Sequence, residues 1–213
     1  YLMVDEPPSS FRKVAHGHFF YTPSKKGLGE THWSELEKLL DPSTLAAKSP
    51  VLEWLERYIS LNTFEISIPV LKDPSLAPKE KTGMIVSMLT EYDLFKGIAE
   101  AGWYEEFVSA MEQQIIGVLA NSVYPMLGEK IEGQFSFTPL SYANRVGSSE
   151  GAITGWSFQE SVPVIHKIQA AGKAIKTPFP NIYQAGQWSY SPAGVPMSIL
   201  TGKLAANRVL KTG

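Results

Sequence analysis

Cysteine is absent from the 213 residues of this chain. Disulfides and thiolate metal sites are therefore excluded, and the absence fits a reducing compartment. Long apolar runs are also missing, since no segment approaches the roughly 18 residues that a membrane-spanning helix needs. The first residues show no basic segment followed by an apolar run, so we expect no signal peptide. An initiator Met is missing too, and we expect the chain to be a fragment of a longer protein.

Neither sign of charge predominates, because the formal net charge is only -2. This balance argues against a nucleic-acid binder, which would normally present a basic face. Hydrophobic residues make up 44% of the chain and aromatic residues 11%, against 19% charged. Such a composition fits a large apolar interior or a protein that lines an apolar cavity. We expect a cytoplasmic protein, with peripheral membrane contact left open.

The hydrophobic pattern changes between a period of two and a period of 3.6 along the chain, which predicts an α+β fold. We expect an antiparallel or mixed sheet with packed helices, the helix at 103–124 lying on one face. The predicted strands are 14–21, 64–70, 83–89, 131–138 and 181–185. The predicted helices are 31–40, 50–59, 103–124 and 196–210. Asp41-Pro42 is interpreted as the stop signal of the first of these helices.

Two glycine motifs resemble known fingerprints but lack their structural context. Residues 27–32 (GLGETH) begin like a dinucleotide-binding turn, but His32 stands where the third glycine belongs, and we interpret the segment as a surface loop. Residues 147–151 (GSSEG) fit G-x-S-x-G, which requires an apolar strand before the serine. The preceding residues, 141–146, are too polar for a central strand. A serine hydrolase is therefore disfavoured.

Histidines offer a third weak signal. His16 and His18 would share one face of a strand, because side chains two residues apart point the same way. A third metal ligand would have to come from His32 or a carboxylate. Nothing supplies four ligands, so a structural zinc site is disfavoured. We predict no metal.

The strongest chemical signal lies in residues 181–197. A short strand ends at Ala185-Gly186, and a loop then leads through Gly194 into the final helix. Pro196 suits the first turn of a helix, and Gly194 permits close approach of the backbone to a ligand. Free N–H groups at the helix start would face that ligand. An ordinary strand–loop–helix without a ligand explains the same pattern equally well.

This C-terminal stretch, NIYQAGQWSYSPAGVPMSILTGKLAA, resembles the signature of phytoene desaturase-like and carotenoid isomerase-like FAD oxidoreductases within the wider amine oxidase-like group. Further similar segments lie at 73–78 (DPSLAP), 125–127 with Ile131, 138–139 and 151–156. The resemblance covers the chain from about Phe64 onward. Two features depart from the family: the N-terminal G-x-G-x-x-G unit, which holds the ADP half of FAD, is absent, and Gln187 stands where relatives often carry an acidic residue.

The resemblance implies the C-terminal part of an FAD-dependent oxidoreductase acting on C–C bonds of an apolar, polyene-like substrate. Residues 1–180 would form the substrate-binding region, and 181–213 a strand–turn–helix that completes an FAD-binding domain. Gly186 and Gln187 would meet the ribityl chain or pyrophosphate of FAD, and the isoalloxazine would lie against Gly194, Val195, Pro196 and Met197. The strands at 64–70, 83–89 and 131–138 would wall the substrate cavity.

The partners implied are an apolar small molecule and the protein's own N-terminal FAD-binding half. Catalytic residues are left unassigned. We expect this chain alone to retain no FAD and to be inactive. The alternative function is a non-catalytic module that binds an apolar ligand or a partner protein. An upstream strand followed by G-x-G-x-x-G would favour the oxidoreductase, and its absence would favour the module.

Overall fold

The computed structural model describes residues 1–14, 17–27, 31–153, 155–156 and 164–212. Within these ranges the chain forms both helices and strands. The strands are β1 Leu2–Val4, β2 His18–Tyr21, β3 Phe64–Ser67, β4 Thr82–Ser87 and β5 Ile131–Gln134. The helices are α1 Pro8–Phe11, α2 Thr31–Leu39, α3 Pro42–Ala47, α4 Ser49–Leu61, α5 Tyr92–Glu100, α6 Tyr104–Ala120, α7 Pro139–Val146, α8 Ala171–Ala174 and α9 Val195–Thr212.

All five strands join one antiparallel sheet in the order β2-β3-β4-β1-β5. The first strand of the chain therefore lies between β4 and β5, where Met3 stands opposite both Gly83 and Gly133. The α+β class with an antiparallel sheet and packed helices is confirmed.

One face of the sheet is buried against helices. Successive side chains of each strand point to opposite faces of the sheet, so every second residue faces the helices. Buried residues on this face include Val4, Phe64, Ile66 and Met84. The helix α6 supplies Phe107, Met111, Ile116 and Leu119 to the same core. The predicted long helix is thus present, although it ends at Ala120 rather than at residue 124.

The helix α4 contributes polar aromatic groups to this core. Trp54 and Tyr58 stack with ring centroids 4.6 Å apart, and the Tyr58 hydroxyl donates a hydrogen bond to the Leu89 carbonyl. Burial is the main reason that the pKa of Tyr58 is raised to about 12. The phenol therefore stays neutral and serves as a structural donor.

Several predicted boundaries were wrong for local reasons. Asp41 does not merely end α2. Its carboxylate accepts hydrogen bonds from the amides of Ser43 and Thr44 and so caps the new helix α3. The strand β3 ends at Ser67, because Pro69 begins a 3-10 turn. The helices α5 and α7 were not predicted, and α7 begins at Pro139, directly after the predicted strand at 131–138.

The predicted strand at 181–185 contains one paired residue, Tyr183, which forms an isolated antiparallel bridge with Lys176. Asn181 has a positive φ of 60°, which interrupts an extended backbone. Gln184 uses its amide and its side chain to bond the carbonyls of Ile175 and Ala174. The segment is therefore a loop fixed by short-range hydrogen bonds.

The described chain divides into two compact units, Tyr1–Gly151 and Ala152–Gly213. The sheet and the helices α1 to α7 belong to the first unit. The second unit contains α8 and α9 and a small core of Ala171, Ala174 and Tyr190, to which Met197, Leu200 and Leu204 add partly buried side chains. The predicted boundary between residues 180 and 181 was drawn by expected role, with substrate binding before it and flavin contact after it. It does not concern compactness, and it stays a prediction.

Candidate functional site

The start of α9 is the centre of the predicted cofactor contact. Gly194 has a φ of 130°, a conformation that L side chains rarely adopt. Its carbonyl accepts the first hydrogen bond of the helix, from the amide of Ser198 at 3.0 Å. A Cβ atom on Gly194 would meet only the ring of Pro196, at 3.8 Å. The glycine is therefore required by the backbone angle, and open space lies where its side chain would be.

Unpaired donors follow directly after this glycine. Pro196 has no N–H, and the amides of Val195 and Met197 have no hydrogen-bond acceptor within the described residues. Such groups are the normal consequence of a helix start. Val195, at the first position of the helix, is 72% exposed. The arrangement presents two donors and the positive end of an 18-residue helix.

Gly186 is predicted to meet the ribityl chain or pyrophosphate of FAD, and its backbone groups already have partners within the protein. Its amide donates to the Thr201 hydroxyl at 3.0 Å. Its carbonyl accepts from the amide of Ser189 at 3.2 Å and from the Ser189 hydroxyl at 2.7 Å. Both polar groups of Gly186 are therefore engaged within the second unit. The half-buried Gln187 has no side-chain hydrogen bond within the described residues.

Thr201 connects the two halves of the predicted site. This buried residue of α9 accepts the Gly186 hydrogen bond and donates to the Met197 carbonyl at 2.8 Å. The structure thus brings the Gly186 turn next to the first turns of α9. Thr201 was not among the site residues predicted from the sequence. One sequence signal could have found it: a threonine lies among the small residues of the predicted helix 196–210.

A second missed residue is Ser191, in the loop before Gly194. It is fully buried, and its hydroxyl has no hydrogen-bond partner within the described residues. Buried polar groups without partners are uncommon and call for an explanation. No sequence signal distinguishes this serine from the others in the loop.

Two tryptophans border the same loop. Trp156 donates from its indole nitrogen to the Trp188 carbonyl at 3.1 Å, and the two rings lie edge to face with centroids 5.6 Å apart. Gly155 stands so close to the loop that a Cβ atom there would be 2.8 Å from the Cβ of Ala193. Residues 155 and 156 therefore hold the loop that leads to Gly194.

On the first unit, the predicted substrate wall corresponds to β3, β4 and β5 of the sheet. A small cavity lies on the side of α6 and is lined in part by Val86, Ile115 and Ile116. Glu112 of α6 also lines it and accepts hydrogen bonds from the Gln134 side chain at 2.7 Å and from Ser136 at 2.6 Å. This carboxylate is therefore fixed by two neutral donors.

The G-x-S-x-G-like segment has no elbow geometry. The helix α7, not a strand, precedes it, and Gly147 is the left-handed residue that ends this helix.

His16 and the glycine motif at 28–30 lie outside the described residues. His18 bonds the Glu65 carboxylate at 2.8 Å. The described part of the chain contains no group of three or more His, Asp or Glu that could hold a metal ion, and none of its helices is long and apolar enough to cross a membrane.

Comparison with known proteins gives a distant similarity. No family model matches the chain. A stretch of 165 residues is 22% identical to "Phytoene desaturase" of Fusarium fujikuroi and covers 70% of this chain and 28% of that protein. The same values hold for "Phytoene desaturase" of Gibberella fujikuroi (strain CBS 195.34 / IMI 58289 / NRRL A-6831). The chain thus spans 28% of the length of these curated relatives and is distantly related to them.

Proposed function

We propose that this chain is the C-terminal part of an FAD-dependent oxidoreductase that acts on C–C bonds of an apolar, polyene-like substrate. The distant similarity to phytoene desaturases supports the reaction class. The antiparallel sheet in the first unit supplies a wall for an apolar substrate. The start of α9 in the second unit supplies the contact to the flavin.

The observation that carries the proposal is the start of α9. The open space at Gly194 and the unpaired amides of Val195 and Met197 fit a group that accepts hydrogen bonds and carries partial negative charge. The isoalloxazine of FAD has such acceptors. Gly186 fits less well, because both of its backbone groups are already bonded. Its role is to position the turn, while Gln187 keeps an unbonded amide for a ligand.

When bound, FAD supplies the hydride chemistry. The residues of this chain bind and orient it. The amides of Val195 and Met197 hold an acceptor edge, and the positive end of α9 stabilises negative charge placed before it. Gly194 keeps side-chain atoms out of that position. Catalytic acid or base residues are not needed for these roles.

The partner that the proposal requires is the protein's own N-terminal FAD-binding half. Support comes from the second unit, which exposes a large share of the apolar side chains. Among the described residues, ten exposed large hydrophobic side chains lie in 152–213, against seven in the much longer first unit. They include Val195, Ile199 and Leu210 on α9. A surface of this kind is typical of a contact with another protein segment.

The test removes one donor without disturbing the fold. In the full-length gene product, Val195→Pro eliminates the Val195 amide at the first helical position, which proline suits. The fold does not use this amide, so the thermal midpoint should be unchanged. FAD affinity should fall roughly threefold to tenfold, as expected for one lost hydrogen bond. The measurement is flavin absorbance after equilibrium dialysis.

The matched control is Val195→Ala, which removes the side chain and keeps the amide. Equal FAD affinity in the proline and alanine variants would refute the proposed contact at α9. A full-length protein that binds no flavin at all would refute the oxidoreductase and favour the non-redox binding module.

A further inference from the structure

The first unit has a groove on its surface between the helices α3 and α5. Its volume is about 470 Å³, which lies within the range of pockets that take small molecules. We name it the α3–α5 groove. One wall is apolar and consists of Leu40, Pro42, Leu45 and Ala46. The other wall is formed by α5.

The floor of the groove is a close contact between Leu45 and Gly97. A Cβ atom on Gly97 would be 2.6 Å from Leu45 Cδ1, so the Leu45 side chain lies directly against the helix backbone. The Leu45 carbonyl also accepts a hydrogen bond from the Trp103 indole at 2.9 Å, inside the core. Leu45 is thus held through both its side chain and its backbone. Because the floor is already fixed, little reorganisation opposes the binding of a ligand.

The wall formed by α5 is charged. Asp93, Lys96 and Glu100 are spaced by three and four residues, which places them on one side of the helix. All three are exposed, and none of them has an ion-pair partner within the described residues. One lysine therefore lies between two carboxylates, and the wall carries an excess of negative charge.

The end of α5 adds to this negative charge. The carbonyls of Glu100 and Ala101 accept no hydrogen bond within the described residues, and they form the negative end of the helix. At the other end of the helix, burial raises the pKa of the Glu91 carboxyl, and the nearby Asp93 carboxylate raises it further. The surroundings are acidic too, because residues 1–151 carry 20 Asp or Glu against 13 Lys or Arg. A cation is therefore favoured here over an anion.

An apolar wall opposite a negatively charged wall suits one class of small molecule. A pure hydrocarbon would remove water from the carboxylates and return no hydrogen bond, which is unfavourable. An organic acid would be repelled by Asp93 and Glu100. An ammonium group can donate to carboxylates and to helix-end carbonyls, while an apolar body attached to it lies against the opposite wall.

We propose that the α3–α5 groove binds an amphipathic organic amine, with its ammonium group at Glu100 and the end of α5 and its apolar body against Leu40 and Leu45. None of these residues belongs to the proposed flavin contact, so the inference does not depend on the proposed function. A bound amine would contact both α3 and α5 and would stabilise the first unit by mass action.

The experiment compares three probes with the same apolar body: 4-phenylbutylamine, 4-phenylbutan-1-ol and 4-phenylbutanoate. Binding to the 213-residue chain is measured by NMR, through the amide shifts of Gly97 and Ala101. The amine should bind roughly tenfold more tightly than the alcohol, the value of about one charge-assisted hydrogen bond. Added salt should reduce this preference, because the carboxylates are exposed. The acid should bind more weakly than the alcohol.

Two pairs of variants locate the site. Glu100→Gln should remove most of the preference for the amine and leave the affinity for the alcohol unchanged. Its matched control is Glu129→Gln, which removes an exposed carboxylate after the 3-10 turn 125–128 and should keep the preference. Ala46→Trp fills the groove from an exposed position and should abolish binding of both probes. Its control is Ala47→Trp, at an exposed alanine that is not among the described residues lining the groove, and it should bind both.

Four results would overturn the inference. The first is the absence of any shift at Gly97 and Ala101 with the amine. The second is equal affinity of the unchanged chain for amine and alcohol, since the charged wall would then select nothing. Tighter binding of the acid would indicate an anion site at Lys96 instead. Unchanged binding by Ala46→Trp would place the ligand outside the groove. These readouts involve no flavin, so they fail or succeed independently of the Val195→Pro test.

Discussion

Gly151 ends the segment that resembles a nucleophile elbow, but its role is steric. It has a φ of 66° and lies against the backbone of Pro139, the first residue of α7. A Cβ atom there would be 2.7 Å from Pro139 Cα and would overlap the Pro139 carbonyl oxygen. Backbone atoms cannot rotate away as the end of a side chain can. The glycine thus permits the chain to pass close to the start of α7.

We predict that Gly151→Ala destabilises the first unit by roughly 2–4 kcal/mol, since it adds an overpacking cost to the cost of a left-handed backbone. Gly147→Ala is the matched control. Gly147 has a similar φ of 70° but nothing within 4 Å of its Cβ position, so it should cost only about 1–2 kcal/mol. Urea unfolding of both variants measures the difference. Equal losses would show that the close approach to Pro139 contributes nothing.

Among the helices and strands, those with a regular apolar period were predicted correctly from the sequence. The predictions were wrong where short-range hydrogen bonds determine the backbone. The stripe that contains Phe107, Met111 and Leu119 predicted α6, because burial on one face follows the helical period. Asp41 was interpreted as a stop, since a helix end and the cap of the next helix use the same residue types.

The candidate site shows the same division. The local conformational preferences of Gly194 and Pro196 predict a helix start, and α9 does begin at Val195. Thr201 and Ser191 could not be predicted, because their significance comes from burial and from contacts across the turn. Within the described residues, the predicted strand at 181–185 finds no neighbouring strand, and only Tyr183 is paired, in an isolated bridge with Lys176.

The Thr201 hydroxyl makes α9 and the Gly186 turn one structural element. Thr201→Val preserves the shape of the side chain but leaves the Gly186 amide without its acceptor, and we expect it to destabilise the second unit by about 1–3 kcal/mol. Thr201→Ser keeps the hydroxyl and should recover most of that loss. Amide hydrogen exchange at Gly186 reports the bond directly. Unchanged exchange at Gly186 in Thr201→Val would contradict the assigned contact.

The whole molecule combines two units with unequal cores. The first unit buries large side chains such as Phe64, Phe95 and Phe107 between its sheet and helices. The second buries mainly Ala171, Ala174, Ile175 and Tyr190. Because the stabilising free energy scales with the apolar area removed from water, the second unit should have the smaller free energy of unfolding.

We therefore predict that, in the 213-residue chain, amides of α9 exchange with solvent much faster than amides of β3, β4 and α6, and that they exchange through local unfolding of the second unit. Mass spectrometry of deuterium uptake, peptide by peptide, measures this difference. In the full-length protein, contact with the N-terminal half should bury Val195, Ile199 and Leu210, and the uptake of α9 should slow. A matched peptide from α6 is the control, because its core is complete within the first unit and its uptake should stay the same. Uptake of α9 that is equally slow in the short and the full-length chains would contradict the proposed partner, since the second unit would then be stable without it.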